Sequence, residues 1–428
     1  MAGGAARPPV KRVFIHTFGC KANQYDSEVV RQALEGAGVM VTDDPAVADG
    51  AVINTCTVTH VSETKLRSFV RRVARRGPRI KTVLMGCAAA VDRGALRALP
   101  GVVDVVPGAD PRPVLAALGI GDAAVDPILR ACTFGTRAWL KIQDGCDEHC
   151  TFCATRVARG GNRSRPVEEI VEEARALAER HAEIVLTGVH IGSYGIDRPP
   201  WSLGRLVEML VGRVETVRFR LSSVEATEVC ERLATLMRDA PRRLAPHVHA
   251  PLQSGSDRVL RRMGRHWYDA GTYRRRVEQL AAGLPVMGLG ADVIVGFPDE
   301  RAEDHEATVA LLRALPFTYL HVFPYSPRPD APARRLGAVV SPETVADRSR
   351  QLRTIAATLE VERRRARAGE TADVVVLTQR GGYVEGLTED YLTVYLPPAT
   401  DLPKRAQAVL AVDELGRLRA TIPGGAAA

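Results

Sequence analysis

Short apolar runs alternate with amphipathic stretches along almost the whole chain. From Val13 to about Ala123, the runs Val13–Cys20, Gly50–Cys56, Lys81–Cys87 and Val102–Val106 read as strands. The spacing of apolar residues predicts helices over Asp26–Leu34 and from about Ser62 to Arg75. Strands and helices in strict alternation predict an open parallel sheet with helices on both faces, a doubly wound α/β unit.

The alternation resumes from about Ala138 to Ser326. Predicted strands are Ala138–Gln143, Glu183–Thr187, Val217–Leu221, His247–Leu252, Gly288–Val295 and Tyr319–Tyr325, with helices between them such as Val167–His181 and Tyr268–Ala282. Six strand–helix units are too few for a closed eight-stranded barrel. They fit a partial (β/α)6 barrel with its active groups on loops at the carboxyl ends of the strands. Pro324–Pro342 reads as a connector, and Val345 to about Ala368 as a strongly basic helix. A solvated face is the simpler reading of that helix, and contact with nucleic acid the alternative. Beyond it, Thr371–Thr378, Gly382–Glu385, Tyr391–Leu396, Ala406–Val412 and Arg417–Ile422 are short strands separated by turns. They predict a small antiparallel β-barrel of the oligonucleotide-binding type. The expected domains are residues 11–125, 132–365 and 368–428.

One loop carries a specific chemical signal. Cys146, Cys150 and Cys153 follow the strand Ala138–Gln143 with three and then two residues between them. Three thiolates on so short a loop suit an iron–sulfur cluster, and on a four-iron cluster they leave one iron open to a small molecule. A zinc knuckle is the alternative, but zinc sites usually need a second closely spaced pair, which this chain lacks. Cys20, Cys56 and Cys87 each fall where a predicted strand ends, so the sheet would bring them to one edge, where α/β ligand crevices lie. That placement predicts a second three-thiolate site; three buried structural cysteines are the alternative. Cys132 and Cys230 fit neither group and read as structural.

Composition adds less. Hydrophobic residues make up 46% and charged residues 25%, as in ordinary globular proteins. Eight cysteines in a chain of 428 residues without a signal-peptide core favour metal ligation over disulfides and an expected cytoplasmic location. No apolar run is long enough to span a bilayer. The formal charge of +8 is compatible with a polyanionic partner without identifying one.

The Cys146–Cys153 spacing resembles the signature of the radical S-adenosylmethionine enzymes. Taken with the segment Thr17-Phe18-Gly19-Cys20-Lys21-Ala22-Asn23-Gln24-Tyr25-Asp26-Ser27-Glu28, with Leu186–Gly195, with Pro251–Ser256 and with Asp292–Pro298, nearly the whole chain resembles the methylthiotransferases, which replace a C–H bond by C–SCH3. Lys21-Ala22 is most similar to the branch acting on N6-threonylcarbamoyladenosine at position 37 of tRNA. The isopentenyladenosine branch usually has Gln-Met there, and the branch modifying an aspartate of a ribosomal protein has a different motif. The resemblance implies a central radical S-adenosylmethionine barrel and a C-terminal TRAM domain that binds RNA. It implies two 4Fe-4S clusters, one held by Cys146, Cys150 and Cys153 and an auxiliary one by Cys20, Cys56 and Cys87. S-adenosyl-L-methionine would meet Gly188, Ser222, Ser223, Glu225 and Gln253, although the same residues could serve as a turn and a helix cap. Arg156, Arg159, Arg163 and Arg165, which follow the cluster loop, would hold tRNA phosphates beside the active site. The implied partners are tRNA, an electron donor such as a flavodoxin or ferredoxin, and a sulfur donor, with a monomer as the default. Ala154-Thr155-Arg156 departs from the family pattern in lacking a proline after the third cysteine. A non-catalytic iron–sulfur protein that binds RNA is the reading from another class.

Overall fold

The computed structural model describes residues 10–57, 60–92, 94–121, 124–133, 135–328, 331–380, 382–398 and 401–423. The chain forms two compact units. The first is residues 1–131 with 145–148 and 153–161; the second is residues 132–144, 149–152 and 162–428.

In the first unit, β1 (Arg12–Thr17), β2 (Met40–Thr42), β3 (Gly50–Thr55), β4 (Lys81–Gly86) and β5 (Val102–Pro107) form one parallel sheet in the order β2-β1-β3-β4-β5. Its edge strand β2 has only three residues, too few to give a readable alternation. Adjacent residues on the central strands face opposite ways. Val52 and Val83 pack with Val30, Leu34 and Val114 on one side. Ile53 and Leu84 pack with Leu66 and Val70 on the other. Both faces are therefore covered, each buried aliphatic side chain contributing roughly 1.5–3 kcal/mol. The chain order reverses between β1 and β3, which makes the space beyond their carboxyl ends the ligand crevice of this sheet. The helix after β1 runs Lys21–Gly36 and so begins earlier than its polar residues suggested. Asp26 and Glu28 are buried inside it and do not start it.

In the second unit, β6 (Arg137–Lys141) is followed by a two-residue ribbon of β7 (Gln143–Asp144) and β8 (Arg163–Ser164). Then come β9 (Glu183–Thr187), β10 (Arg218–Leu221), β11 (His247–His249), β12 (Gly288–Val295) and β13 (Tyr319–Pro324). The six long-range strands run parallel in two ladders, β6-β9-β10 and β11-β12-β13. Parallel bridges from Phe219 to Leu244 and from Ser223 to His249 join them into a partial barrel. β11 stops three residues short of the expected Leu252. Pro251 has no N–H for the ladder, and pairing resumes only at Gln253, which bonds β12 from a left-handed backbone (φ 65°).

Five further strands, β14 (Thr371–Arg380), β15 (Tyr383–Leu387), β16 (Thr393–Leu396), β17 (Arg405–Val412) and β18 (Leu418–Thr421), close into a barrel in the order β14-β15-β16-β18-β17. Neighbours are antiparallel, as expected, except β16 and β18, which run parallel. This barrel seats against the amino ends of the six central strands. Glu183 and Arg218, the first residues of β9 and β10, are fully buried and paired at 2.7 Å, and Arg218 also reaches Asp373 at 3.1 Å. Arg220 bonds Glu183 and the carbonyls of Thr388 and Glu389. The Tyr391 ring stacks on His247 at 4.4 Å. At Gly288 the Asp390 carbonyl comes so close that a β-carbon would overlap it.

The basic helix runs Pro342–Ala366, with Ser349, Leu352 and Ile355 buried. It is not solvated along its whole length. Arg348 pairs with Glu300, and Arg363 and, just past the helix, Arg367 pair with Asp390. Those arginines face carboxylates of the chain. Cys132 is buried as expected; Cys230 is exposed and precedes the helix Glu231–Asp239, where a position inside a helical run was expected.

Candidate active site

β1 leaves the sheet through Gly19, whose φ of 110° suits glycine. A β-carbon there would lie 2.9 Å from the Cys56 β-carbon and 3.1 Å from its sulfur. Glycine thus lets the exits of β1 and β3 close on each other. Asn23, in the first turn of the next helix and buried, fastens them: its Nδ2 donates to the carbonyls of Phe18 and Thr55, both at 2.9 Å. Cys87 starts the short helix Cys87–Ala90 that follows β4. The Cys20 and Cys87 thiols lie 3.8 and 3.7 Å from the same oxygen, Asn23 Oδ1. Cysteines separated by 36 and 31 residues in sequence are therefore gathered at one sheet edge.

Arg159 reaches this group from the segment 153–161 of the same unit. Its Nη2 donates to Asn23 Oδ1 at 2.6 Å and Asp26 Oδ2 at 2.8 Å, and its Nε to Cys87 Sγ at 3.1 Å. Burial pushes the Cys87 thiol up to about 11, against the pull of the Arg159 charge; nearby Cys20 and Cys56 push it further up. Three mutually repelling thiolates stay ionised together only around a cation. This donor set therefore fits an iron–sulfur cluster or another thiophilic metal.

The second cysteine group lies on a loop divided between the units. In the first unit, the Cys146 amide donates to Gly160 O at 3.0 Å, and Cys153 Sγ lies 3.1 Å from Thr155 Oγ1. Gly145 (φ 72°) meets the Gly161 carbonyl where no β-carbon fits. In the second unit, Arg265 Nη1 donates to Cys150 Sγ at 3.7 Å, and Thr151 bonds the carbonyls of Met263 and Arg262. Arg265 is buried, stacked on Trp267 and Tyr268, and paired with Glu225. Burial raises the Glu225 carboxyl and Arg265 opposes it.

Gly188, Ser222, Ser223, Glu225 and Gln253 all lie beyond the carboxyl ends of β9, β10 and β11, at the end of the barrel away from β14–β18. Gly188 leaves room for Gln143, whose Oε1 accepts from the Val189 and His190 amides at 3.0 and 2.9 Å. Ser222, Glu225 and Gln253 are buried and Ser223 is exposed. Glu225 also caps the turn Ala226–Glu228, so the cap reading and the rim position hold together.

The four arginines differ in their surroundings. Arg159 is spent on Asp26, Asn23 and Cys87, and Arg165 on Glu173 and the Lys141 carbonyl. Both guanidinium groups face carboxylates of the chain, Asp26 for Arg159 and Glu173 for Arg165, where contacts with tRNA phosphates were expected. Arg156 and Arg163 remain exposed. Sequence reasoning missed the pairs Asp26–Arg159 and Glu225–Arg265 and the hub at Glu183. Only the three-residue spacing of Asn23 and Asp26, which puts them on one helix face, hinted at the first.

A partial parallel barrel carrying a three-cysteine loop beyond its first strand defines the class: residues 140–312 match the radical SAM superfamily, and residues 12–108 match a family described as uncharacterized protein family UPF0004. The fold agrees. The radical S-adenosylmethionine methyltransferase TsrM from Kitasatospora setae, with cobalamin and a [4Fe-4S] cluster bound, superposes with a TM-score of 0.57 at 16% identity, over 76% of this chain and 77% of that one. The threonylcarbamoyladenosine tRNA methylthiotransferase MtaB of Bacillus subtilis is 35% identical over 414 residues, 91% of each chain. Its counterpart in Thermotoga maritima is 36% identical over 76% of this chain and 77% of its own length. The tRNA-2-methylthio-N(6)-dimethylallyladenosine synthase of Paracoccus denitrificans is 34% identical over 76% and 77%. The chain belongs to the MtaB-type methylthiotransferases, enzymes that use S-adenosylmethionine and 4Fe-4S clusters. Among the described residues no helix is long and apolar enough to cross a membrane.

Proposed function

We propose that this chain transfers a methylthio group to C2 of N6-threonylcarbamoyladenosine at position 37 of tRNA in the cytoplasm. Cys146, Cys150 and Cys153 hold the radical cluster, and Cys20, Cys56 and Cys87 hold the auxiliary one. When bound, these groups and S-adenosylmethionine supply the radical and the sulfur that an unactivated aromatic C–H bond demands. The protein's own part is to bind and orient. Arg159 places a fixed positive charge against Cys87 and is itself held by Asp26. Arg265 does the same for Cys150 and is held by Glu225. Gly188, Ser222, Ser223, Glu225 and Gln253 form the rim where the cofactor is received. The observation that carries the reading is the gathering of Cys20 and Cys87 about Asn23 Oδ1, with Cys56 against Gly19.

The domains divide the work at residues 11–125, 132–365 and 368–428. In the last, a TRAM-type module, Tyr383 and Tyr395 flank Arg417 and Arg419, with Arg419 4.5 Å from the Tyr383 ring centre. An exposed aromatic interleaved with arginine on a small barrel suits stacking on unpaired loop bases. Arg156 and Arg163 add phosphate contacts. A flavodoxin or ferredoxin and a sulfur donor complete the reaction. The test is nucleoside mass spectrometry of total tRNA with the gene present and deleted. The methylthiolated threonylcarbamoyl nucleoside should vanish while its precursor accumulates. Loss of the isopentenyl derivative in its place would move the substrate.

A further inference from the structure

β11, β12 and β13 each present one face to helices and one to the barrel lumen. Leu289, Ala291, Val293 and Val295 are buried on the outer side of β12, whereas Asp292 and Ile294 are partly exposed on the inner side. Parallel register sets Asp292 beside His321 and Gly290 beside both His249 and Tyr319. Three inner-face side chains from three adjacent strands therefore meet. His249 Nε2 and His321 Nδ1 each lie 3.1 Å from the same atom, Asp292 Oδ1. The three ligand atoms all fall within 4.8 Å of one another.

We propose that His249, Asp292 and His321 form a divalent-cation site on the wall of the barrel, separate from all six cluster cysteines. Imidazole and carboxylate ligands sit about 2.0–2.2 Å from ions such as Zn2+, so two of them at right angles lie about 3.0 Å apart, and about 3.4 Å apart in a tetrahedron. Both observed separations fall in that range. Two histidines and one carboxylate make the facial set that leaves the other positions open. The His321 side chain is 54% exposed and that of His249 is 9% exposed, so solvent reaches the group from the His321 side and with it the open positions. They are left for water or an oxygen donor.

The surroundings orient the ligands as metal sites do. Tyr319 Oη lies 2.9 Å from His249 Nδ1 and 2.9 Å from His247 Nε2, which directs His249 Nε2 toward the carboxylate. The Tyr319 ring lies where a β-carbon on residue 290 would overlap it, so Gly290 makes this support possible.

The test is equilibrium dialysis of the anaerobically reconstituted holoenzyme, both clusters loaded, against Zn2+ and separately against Mn2+. Wild type should bind one equivalent more than H321A, with the variant's affinity for that equivalent at least tenfold weaker. D292N should behave like H321A. F323A, on the same inner face of β13 and without a ligand atom, should bind as wild type does. Unchanged cluster absorbance and melting temperature in H321A exclude misfolding. The proposal is overturned if wild type and H321A bind both ions equally, or if F323A loses the ion as well.

Discussion

Arg159 places the guanidinium that donates to Cys87 in the first cysteine group. Its ion pair with Asp26 is 2.8 Å long, with 6% and 1% of the two side chains exposed. At an effective dielectric constant of about 20, that separation is worth roughly 6 kcal/mol of attraction, most of it offset by the cost of burying both charges. Arg159→Ala removes the cation and leaves the Asp26 carboxylate buried without it. The expected cost is about 3–5 kcal/mol in the stability of the first unit. Asp26→Asn in the same chain removes the stranded charge and should recover a large part of that loss, a coupling of at least 1 kcal/mol in a double-mutant cycle. Urea unfolding of the reduced apoprotein, read with hydrogen exchange across Lys21–Gly36, measures both quantities. In the reconstituted protein the same variant also loses the donor to Cys87 and should show an altered auxiliary-cluster spectrum. If Arg159→Ala costs under 1 kcal/mol, or Asp26→Asn recovers nothing, the pair does not hold this site together.

Replacing any one of Cys20, Cys56 and Cys87 with alanine should cut the iron of the reconstituted protein by about half and abolish methylthiolation, leaving the radical cluster's absorbance in place; full iron content would sink the second cluster. Burial alone would raise the Glu183 carboxyl, but Arg220, Arg218 and Arg137 hold it well below its ordinary 4.5. Its contribution is therefore present above pH 4.5 and is lost as pH falls through the lower folded value, and in Glu183→Gln the acid limb of the stability curve should flatten. A methyl at Gly288 would collide with the Asp390 carbonyl, so Gly288→Ala should cost roughly 1–3 kcal/mol and expose the linkage before Thr371 to limited proteolysis. Tyr383→Ala should weaken binding of an anticodon stem-loop roughly tenfold without changing iron content; unchanged binding would place the RNA elsewhere.

Much of this protein was legible before its structure. Strand–helix alternation gave both parallel sheets, because helices and strands bury their apolar residues with different periods, and those periods are local properties. The three-cysteine loop was equally plain, since its ligands lie within eight consecutive residues. Cys20, Cys56 and Cys87 could be placed at one edge because parallel connectivity returns every strand end to the same side. The boundaries of β2 and β11 were not legible. One is too short for a pattern, and the other is interrupted by a proline whose partner strand lies about forty residues on. The charged pairs were beyond sequence altogether. Arg159 and Asp26 lie 133 residues apart, and Glu225 and Arg265 lie 40 apart. In sequence a basic residue near a cluster loop looks the same whether it faces a phosphate or a buried carboxylate. Burial decides which, and burial exists only once the sheets and barrels have closed.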